Sequence, residues 1–375
     1  MAVVGRSFWR RISDGIAIQE LWSQFSNEAR VSYRLYSAEV DLTRAQDEKR
    51  SHQWRRVITG LFWAMVMKLS PGRRVVFLLA LTLLFFPGFD FRFRGGEFQM
   101  PNYSFIGAVL LLILLALELA DRVTMKRDLQ IAKEIQTWLM PSIPPQVPGI
   151  EMAFATRPAN TVAGDYYDAF LRSNPTEDSA TCPPLLLVVA DVAGKSVPAA
   201  LLMATLQASL HTLAGMCTTP LELIERLNRY CCEQNIGGKR FTTAFLAEFD
   251  PLTRKLTYVN AGHNWPVLRR SSGRIERLET GGVPLGLLRN APYASAQVSL
   301  APGDVLIIFT DGLVEAENPR EEQFGESRLF WVLNSRSDMT PSLLLKDLIT
   351  TADRFTGAAP QHDDMTCLVM RVNPV

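Results

Sequence analysis

The fold of this chain is constrained first by a stretch without charged residues that runs from Phe98 to Leu117. A helix needs about 20 apolar residues to cross a bilayer, and this stretch, with its apolar core from Phe105 to Leu117, is long enough. A shorter uncharged run, Val75 to Phe89, precedes it across a loop that contains Gly and Pro. Together the two runs predict a transmembrane helical hairpin over residues 73–120. A pair of buried core helices is the alternative interpretation.

Basic residues flank the predicted hairpin on both sides, whereas the loop carries two arginines beside two acidic residues. The flanking residues are Arg55, Arg56, Lys68, Arg73 and Arg74 before it, and Arg122, Lys126 and Arg127 after it. Because basic residues are enriched on the cytoplasmic side of a membrane, both ends of the hairpin are predicted to be cytoplasmic.

The segments around the hairpin are predicted to be helical. Residues 1–72 mix charged and aromatic residues at loosely helical spacing, and they fit either a sensor or docking module or a juxtamembrane collar. Residues 121–144 form a predicted linker or stalk helix that ends in a Pro-rich segment. Its short apolar seam fits a homodimer through the stalk, and a solvated connector is the alternative.

Composition excludes several classes of protein. With 39 basic and 38 acidic residues the formal net charge is +1, so no nucleic-acid partner is expected. The five cysteines form no CxxC pair, which argues against a disulfide framework and a structural zinc site. The four histidines are scattered, so a metal here should be held by oxygen ligands. Oxygen ligands favour Mg²⁺ or Mn²⁺ over zinc.

After Ile150 the pattern predicts short strands separated by helices. The predicted strands are 185–191, 242–249, 255–262, 304–311 and 365–372, and the predicted helices are Pro198–Leu213, Leu221–Asn235, Glu326–Asn334 and Pro341–Phe355. Residues 242–262 are predicted to form an antiparallel hairpin through the turn DPLTR. Strand runs interrupted by helix pairs indicate the α+β class, with antiparallel sheets flanked by helices.

Carboxylates lie where predicted strands end. Asp191 and Asp311 each end an apolar strand, and Asp363 and Asp364 precede another. Asp165 and Asp168 flank two tyrosines. A carboxylate at the end of a buried strand is costly to keep ionised unless it is paired or binds a metal. A set of them suits a two-metal site for phosphoryl chemistry, in which an activated water attacks phosphorus. For each Asp alone, a helix cap or a turn is the alternative.

The sequence resembles the protein phosphatase 2C (PPM) superfamily in its bacterial SpoIIE/RsbU branch. The matching blocks, in the order of that family, are LQIAKEIQTWLMP, AGDYYDAF, VVADVAGKSVPAALLMA, FTTAFLAEFD, LTYVNAGHNWP, GVPLGLL, LAPGDVLIIFTDGLVEAEN, FGESRL and HDDMTCLVMRV. The blocks cover about 240 residues, and the predicted hairpin lies outside them. The resemblance implies that residues 145–375 form a PPM-type αββα sandwich that binds two ions of Mn²⁺ or Mg²⁺.

The resemblance also implies roles for individual residues. Asp191 would bridge the two metals, and the backbone carbonyl of Val192 would bind the second. Asp311 and Asp363 would complete the first metal, while Asp168, together with Asp165, would face the second directly or through water. Asp364 would be a supporting hydrogen-bond partner, and His263 either shapes the site or is a turn residue.

Two positions depart from the pattern of the family, and one expected residue type is missing. The usual glycines are Ala163 and Ser196 here, and either would be strained if its backbone were left-handed. No Arg lies within AGDYYDAF to clamp phosphate, so Arg157 and Lys195 remain as weak candidates.

The resemblance implies a protein serine/threonine phosphatase at the bacterial inner membrane, with its phosphatase domain in the cytoplasm. Its expected substrate is a phosphorylated regulatory protein, of the anti-anti-sigma (STAS) type that partner-switching pathways use. Two alternatives remain: a catalytically inactive phosphatase fold that signals by docking, and a metal-dependent phosphatase for small molecules.

Overall fold

A computed structural model describes residues 59, 62–63, 66–85, 90–93, 96–99, 102–172, 183–194, 196–234, 240–336 and 338–373. Most of the predicted N-terminal helical region, residues 1–58, therefore lies outside the described residues, as does Lys195. The chain divides into two compact units between Thr124 and Met125.

In the first unit, two apolar helices pack against each other. The elements are α1 (Pro71–Phe85), β1 (Asp90–Phe93), β2 (Gly96–Gln99) and α2 (Ser104–Leu139). The two strands form an antiparallel hairpin in the predicted loop between the helices. Gly107 allows close helix contact, because a Cβ there would stand 2.6 Å from the carbonyl oxygen of Ala80.

Helix α2 continues without a break from the second apolar run through the predicted stalk. Its 36 residues correspond to a length of about 54 Å at 1.5 Å per residue. The division at Thr124 assigns the last part of α2 to the second unit. The end of the stalk is therefore part of the C-terminal unit, whereas the sequence placed the boundary of that domain near residue 145.

The described part of the second unit contains eleven strands and five further helices. The strands are β3 (Ile150–Arg157), β4 (Asp165–Leu171), β5 (Leu185–Val192), β6 (Thr242–Asp250), β7 (Lys255–Ala261), β8 (Val267–Arg269), β9 (Ile275–Arg277), β10 (Gly281–Gly282), β11 (Ala296–Ser299), β12 (Val305–Phe309) and β13 (Met365–Val372). The helices are α3 (Val197–Ala214), α4 (Pro220–Gln234), α5 (Asp311–Val314), α6 (Gly325–Ser335) and α7 (Pro341–Thr356).

The strands form two sheets. The first has the order β10-β7-β6-β5-β4, with β11 also paired to β7, and the second has the order β3-β13-β12-β8-β9. The predicted hairpin of β6 and β7 is confirmed as an antiparallel pair. One pairing differs from the all-antiparallel expectation, because the two-residue strand β10 runs parallel to β7.

Three hydrophobic clusters hold the layers together. One lies between the sheets, with Leu187 and Phe245 from the first sheet and Leu306 and Leu368 from the second. A second cluster packs α3 and α4 on the outer face of the first sheet. A third packs α5, α6 and α7 on the outer face of the second sheet. The predicted αββα sandwich is therefore confirmed.

Candidate active site

Strand alternation places two of the predicted carboxylates side by side between the sheets. Asp165 is the first residue of β4, and the antiparallel register sets it opposite Asp191 of β5. Side chains two residues apart share a face of a sheet. Because Tyr167 and Val189 belong to the cluster between the sheets, Asp165 and Asp191 face the same layer, at its end.

Asp165 lies in an environment that disfavours its charge. It is 2% exposed, and its Oδ2 accepts a hydrogen bond of 2.8 Å from the hydroxyl of Thr310, at the end of β12. Burial first, and then the charge of Asp191, hold the pKa of Asp165 well above its usual range. A divalent cation would relieve both effects, so this pair fits a metal.

Asp311 and Asp363 approach the same end of the sandwich from the second sheet. Asp311 directly follows Thr310 and begins α5. The Glu315 amide donates a hydrogen bond of 2.8 Å to the carbonyl oxygen of Asp311, and Glu315 and Asp363 line the same cavity. Burial, and then the charges of Asp311 and Asp363, raise the pKa of Glu315. A Cβ on Gly312 would stand 2.1 Å from the carbonyl oxygen of Asp364, so only glycine allows α5 to contact this turn.

A cavity of about 510 Å³ opens beside these residues. It is lined by Arg157, Gly312, Glu315, Ala316, Glu317, Gln323, Asp353, Thr356, Gly357, Ala359, Pro360, Gln361, His362, Asp363 and Met365. Arg157 is thus at the edge of the site, but its guanidinium forms an ion pair with Asp353. Within the described ranges, no three or more His, Cys, Asp or Glu side chains are already arranged to hold a metal ion.

Asp364 holds the loop that leads into β4. Its Oδ1 accepts a hydrogen bond of 2.7 Å from the backbone amide of Ala159, and its Oδ2 accepts one of 2.6 Å from that of Gly164. Both carboxylate oxygens are therefore engaged with backbone amides, next to Asp165.

The expectation that Asp168 faces a metal is not met by this geometry. Strand β4 alternates, so Asp168 shares the outer, helix-covered face with Tyr166, opposite to Asp165. Its Oδ2 accepts a hydrogen bond of 2.6 Å from the Tyr166 hydroxyl and lies 2.7 Å from Nε2 of His211 on α3. Its Oδ1 accepts a bond of 2.8 Å from the amide of Ala169. Both oxygens of the Asp168 carboxylate are therefore engaged on the helix-covered face, and His211 was not predicted as a partner.

The two residues that stand where the family usually has glycine differ in backbone strain. Ala163 is not among the described non-glycine residues with positive φ, so its methyl group is tolerated. Ser196, however, has φ 67° and ψ −150°. That combination is adopted almost exclusively by glycine, so Ser196 is strained at the start of α3.

His263 lies in a turn beside the carboxylate pair. Its amide donates a hydrogen bond of 2.7 Å to Oδ1 of Asn260, and its Nδ1 is 3.0 Å from the hydroxyl of Thr243. Thr243 is the cross-strand neighbour of Asp191. Burial lowers the pKa of His263 to about 4, so its ring is neutral at pH 7.

Comparisons with known proteins agree with this architecture. The SpoIIE family, described as Stage II sporulation protein E, matches residues 184–373, just over half of the chain. The chain is 28% identical over 290 residues to Protein IcfG of Synechocystis sp., with 69% of this chain and 44% of that protein covered. The chain thus spans less than half the length of that relative.

Two further comparisons cover more of the related protein. The chain is 26% identical over 254 residues to Phosphoserine phosphatase RsbU of Bacillus subtilis, covering 66% of this chain and 70% of RsbU. The SiaA-PP2C domain of Pseudomonas aeruginosa has the same fold, with a TM-score of 0.58 and 20% identity, over 68% of this chain and 99% of that domain. The chain therefore belongs to the SpoIIE family, and its C-terminal part is a phosphatase domain of the SpoIIE/RsbU type within the protein phosphatase 2C superfamily.

Proposed function

We propose that this protein is a metal-dependent protein serine/threonine phosphatase. The observation that carries the proposal is the buried Asp165, which lies opposite the half-buried Asp191 on the neighbouring strand. A divalent cation would offset the cost of holding these two carboxylates together. Membership of the SpoIIE family and similarity to a protein named phosphoserine phosphatase support it. Mn²⁺ or Mg²⁺ suits this oxygen-rich set of ligands.

The residues proposed to hold two ions are five in number. They are Asp165, Asp191, the backbone carbonyl of Val192, Asp311 and Asp363. Asp165 thus takes the role that was predicted first for Asp168, which is to face the second metal. When bound, the ions would activate water as the nucleophile and neutralise charge on the phosphoryl oxygens.

The protein itself contributes the orientation of its carboxylates and a cavity for the substrate. Asp165 is buried and held by the Thr310 hydroxyl, so its carboxylate direction is fixed before substrate binds. Asp364 anchors the preceding backbone, and the open cavity beside Asp363 is where a phosphorylated side chain would enter. Arg157 lines this cavity and would have to leave Asp353 to contact phosphate.

The proposed substrate is a phosphoserine or phosphothreonine of a cytoplasmic regulatory protein, of the STAS type that the family resemblance implies. The test measures phosphate release from a phosphorylated STAS protein with and without Mn²⁺. Manganese-dependent release that Asp191→Asn abolishes is the expected result. Equal or faster turnover of p-nitrophenyl phosphate would favour the small-molecule alternative.

A second candidate function is the inactive docking module. A protein that binds its partner but releases no phosphate at any Mn²⁺ or Mg²⁺ concentration would establish this second function. Hydrolysis would exclude it.

We place the phosphatase at a membrane through α1 and α2. Helix α2 is long and apolar enough to span a bilayer, and little of its apolar window is buried. Helix α3 meets the same criterion, but its buried residues pack in the cluster beneath α3 and α4. Flotation of the full chain with vesicles, lost on deletion of residues 73–120, tests the location.

A second copy of this chain is the proposed partner for the stalk. Between Leu119 and Ile135, α2 exposes apolar side chains at helical spacing, namely Leu119, Val123, Ile131 and Ile135. Pairing of two stalks would bury this seam. Cysteine cross-linking at Val123 in vesicles should produce a dimer, and a monomer at all concentrations would support the solvated connector.

A further inference from the structure

One polar side chain of the stalk points into the C-terminal unit. Residues 121–139 of α2 are all described, and among them Gln136 alone is buried, at 5% exposure. Its Nε2 donates a hydrogen bond of 2.7 Å to the carbonyl oxygen of Ala163. The amide of Ala163 in turn donates one of 2.9 Å to Gln136 Oε1. One side-chain amide thus satisfies both backbone groups of a single residue.

Ala163 lies two residues before Asp165. The intervening Gly164 donates its amide to Asp364, 2.6 Å away. Gly164 also packs closely against β5, because a Cβ on it would be 3.1 Å from the carbonyl oxygen of Val192. We therefore expect a displacement of Ala163 to reach Asp165, two residues further along the backbone, and so its position opposite Asp191.

The side-chain amide of Gln136 supplies both the donor and the acceptor that this position demands. A carboxylate would accept from the Ala163 amide but would offer no N–H to the Ala163 carbonyl. An aliphatic side chain would leave both buried backbone groups without a partner, which is costly. The position therefore requires both a donor and an acceptor.

We propose that Gln136 is a positioning residue that couples the stalk helix to the carboxylate pair, so that the placement of α2 sets the geometry of Asp165. This inference rests on the proposed metal-dependent function. Residues that orient metal ligands typically change metal affinity or activity by about 10–100-fold when they are altered.

The test compares Gln136→Met with Gln130→Met in the full chain, purified in detergent. Gln130 is a matched control on the same helix, because it is exposed and its Nε2 donates a hydrogen bond of 3.4 Å to Glu134, one turn further along α2. Three quantities are measured: the Mn²⁺ dissociation constant, amide hydrogen exchange over residues 159–167, and kcat and KM for a phosphorylated STAS protein.

The expected result is specific to Gln136→Met. Mn²⁺ affinity should fall about 10-fold, exchange at Ala163 should accelerate, and kcat should drop with KM nearly unchanged. Gln130→Met should match the wild type in all three. Unchanged Mn²⁺ affinity or unchanged exchange in Gln136→Met, or an equal loss in Gln130→Met, would overturn the positioning role.

Failure of the proposed function is distinguishable from failure of this inference. A wild type that binds Mn²⁺ but hydrolyses no phosphoprotein would overturn the function, while affinity and exchange would still decide the role of Gln136. A wild type that binds no Mn²⁺ would overturn both. If Gln136→Met does not fold, Gln136→Glu replaces it, because it keeps the shape and one hydrogen bond, and the same outcomes apply.

Discussion

The two faces of β4 place two aspartates in opposite environments. On the inter-sheet face, Asp165 is buried beside Asp191, and its pKa is raised well above its usual range. On the helix-covered face, three residues away, Asp168 contacts Tyr166, His211 and the amide of Ala169. A carboxylate with enough partners stabilises the fold, whereas one that lies beside a second carboxylate is available for a cation.

The largest difference between the two aspartates is expected in hydrolysis, when each carboxylate is replaced by a neutral amide. Asp165→Asn should lower kcat by at least about 100-fold, as expected for loss of a group at a metal site. Asp168→Asn should retain activity within about 10-fold. Steady-state kinetics with Mn²⁺ and a phosphorylated STAS protein provide the measurement, and a larger loss in Asp168→Asn would reverse the assignment.

The same two variants should have opposite effects on stability without metal. Asp168→Asn weakens hydrogen bonds to a charged acceptor and should lower the free energy of unfolding by about 2 kcal/mol. Asp165→Asn removes a costly buried charge and should raise it by on the order of 1 kcal/mol.

The size of the stabilisation by Asp165→Asn depends on pH. Because the pKa of Asp165 is raised by folding, its contribution favours the folded state at low pH and is lost as pH rises above about 3.9, the unfolded value. The gain in Asp165→Asn should therefore grow from pH 4 to pH 7. Urea titrations with chelator measure both variants, and destabilisation by Asp165→Asn at pH 7 would contradict the assigned environment.

The pH dependence of stability tests whether His263, on the inter-sheet face, is buried and neutral. Its pKa falls to about 4 on folding, from about 6.5 in the unfolded chain, so its contribution is fully present above pH 6.5 and is lost as pH falls toward 4. The slope should approach about 1.4 kcal/mol per pH unit. His263→Gln should remove this slope, and His211→Gln, on the other face, should retain it in urea titrations.

The smallest expected effect concerns the strained residue between β5 and α3. Ser196→Gly should raise the free energy of unfolding by about 1 kcal/mol, because glycine adopts φ 67° and ψ −150° without strain. Ser209→Gly, in the middle of α3, is the matched control and should lower it by up to about 1 kcal/mol. Thermal unfolding distinguishes the two, and destabilisation by both would show that Ser196 is not strained.

The sequence predicted the long elements closely. The four predicted helices of the C-terminal unit begin and end within one residue of α3, α4, α6 and α7, because each has a clear apolar period or an N-terminal Pro. The strands β5, β6, β7, β12 and β13 lie within two residues of their predicted bounds. The strands β3 and β4 and the strands β8 to β11 were not predicted. For β8 to β11 the reason is that runs of two to four residues carry no readable period.

The site was predicted less completely than the fold. Recognising β4 as a strand would have placed Asp165 and Asp168 on opposite faces, because their spacing of three is odd. The sequence pattern did not indicate that Gln136 and His211 have partners in the fold. A single polar residue in a helix has the same pattern as one that faces solvent. Which partners they meet depends on packing between elements that are distant in sequence.

The most direct test of the metal site is a crystal structure of the protein with Mn²⁺, with anomalous scattering collected at the manganese edge. Two anomalous peaks are expected between Asp165 and Asp191 on one side and Asp311 and Asp363 on the other, with none near Asp168. Peaks at Asp168, or full occupancy elsewhere with the inter-sheet carboxylates free of metal, would contradict the proposed site.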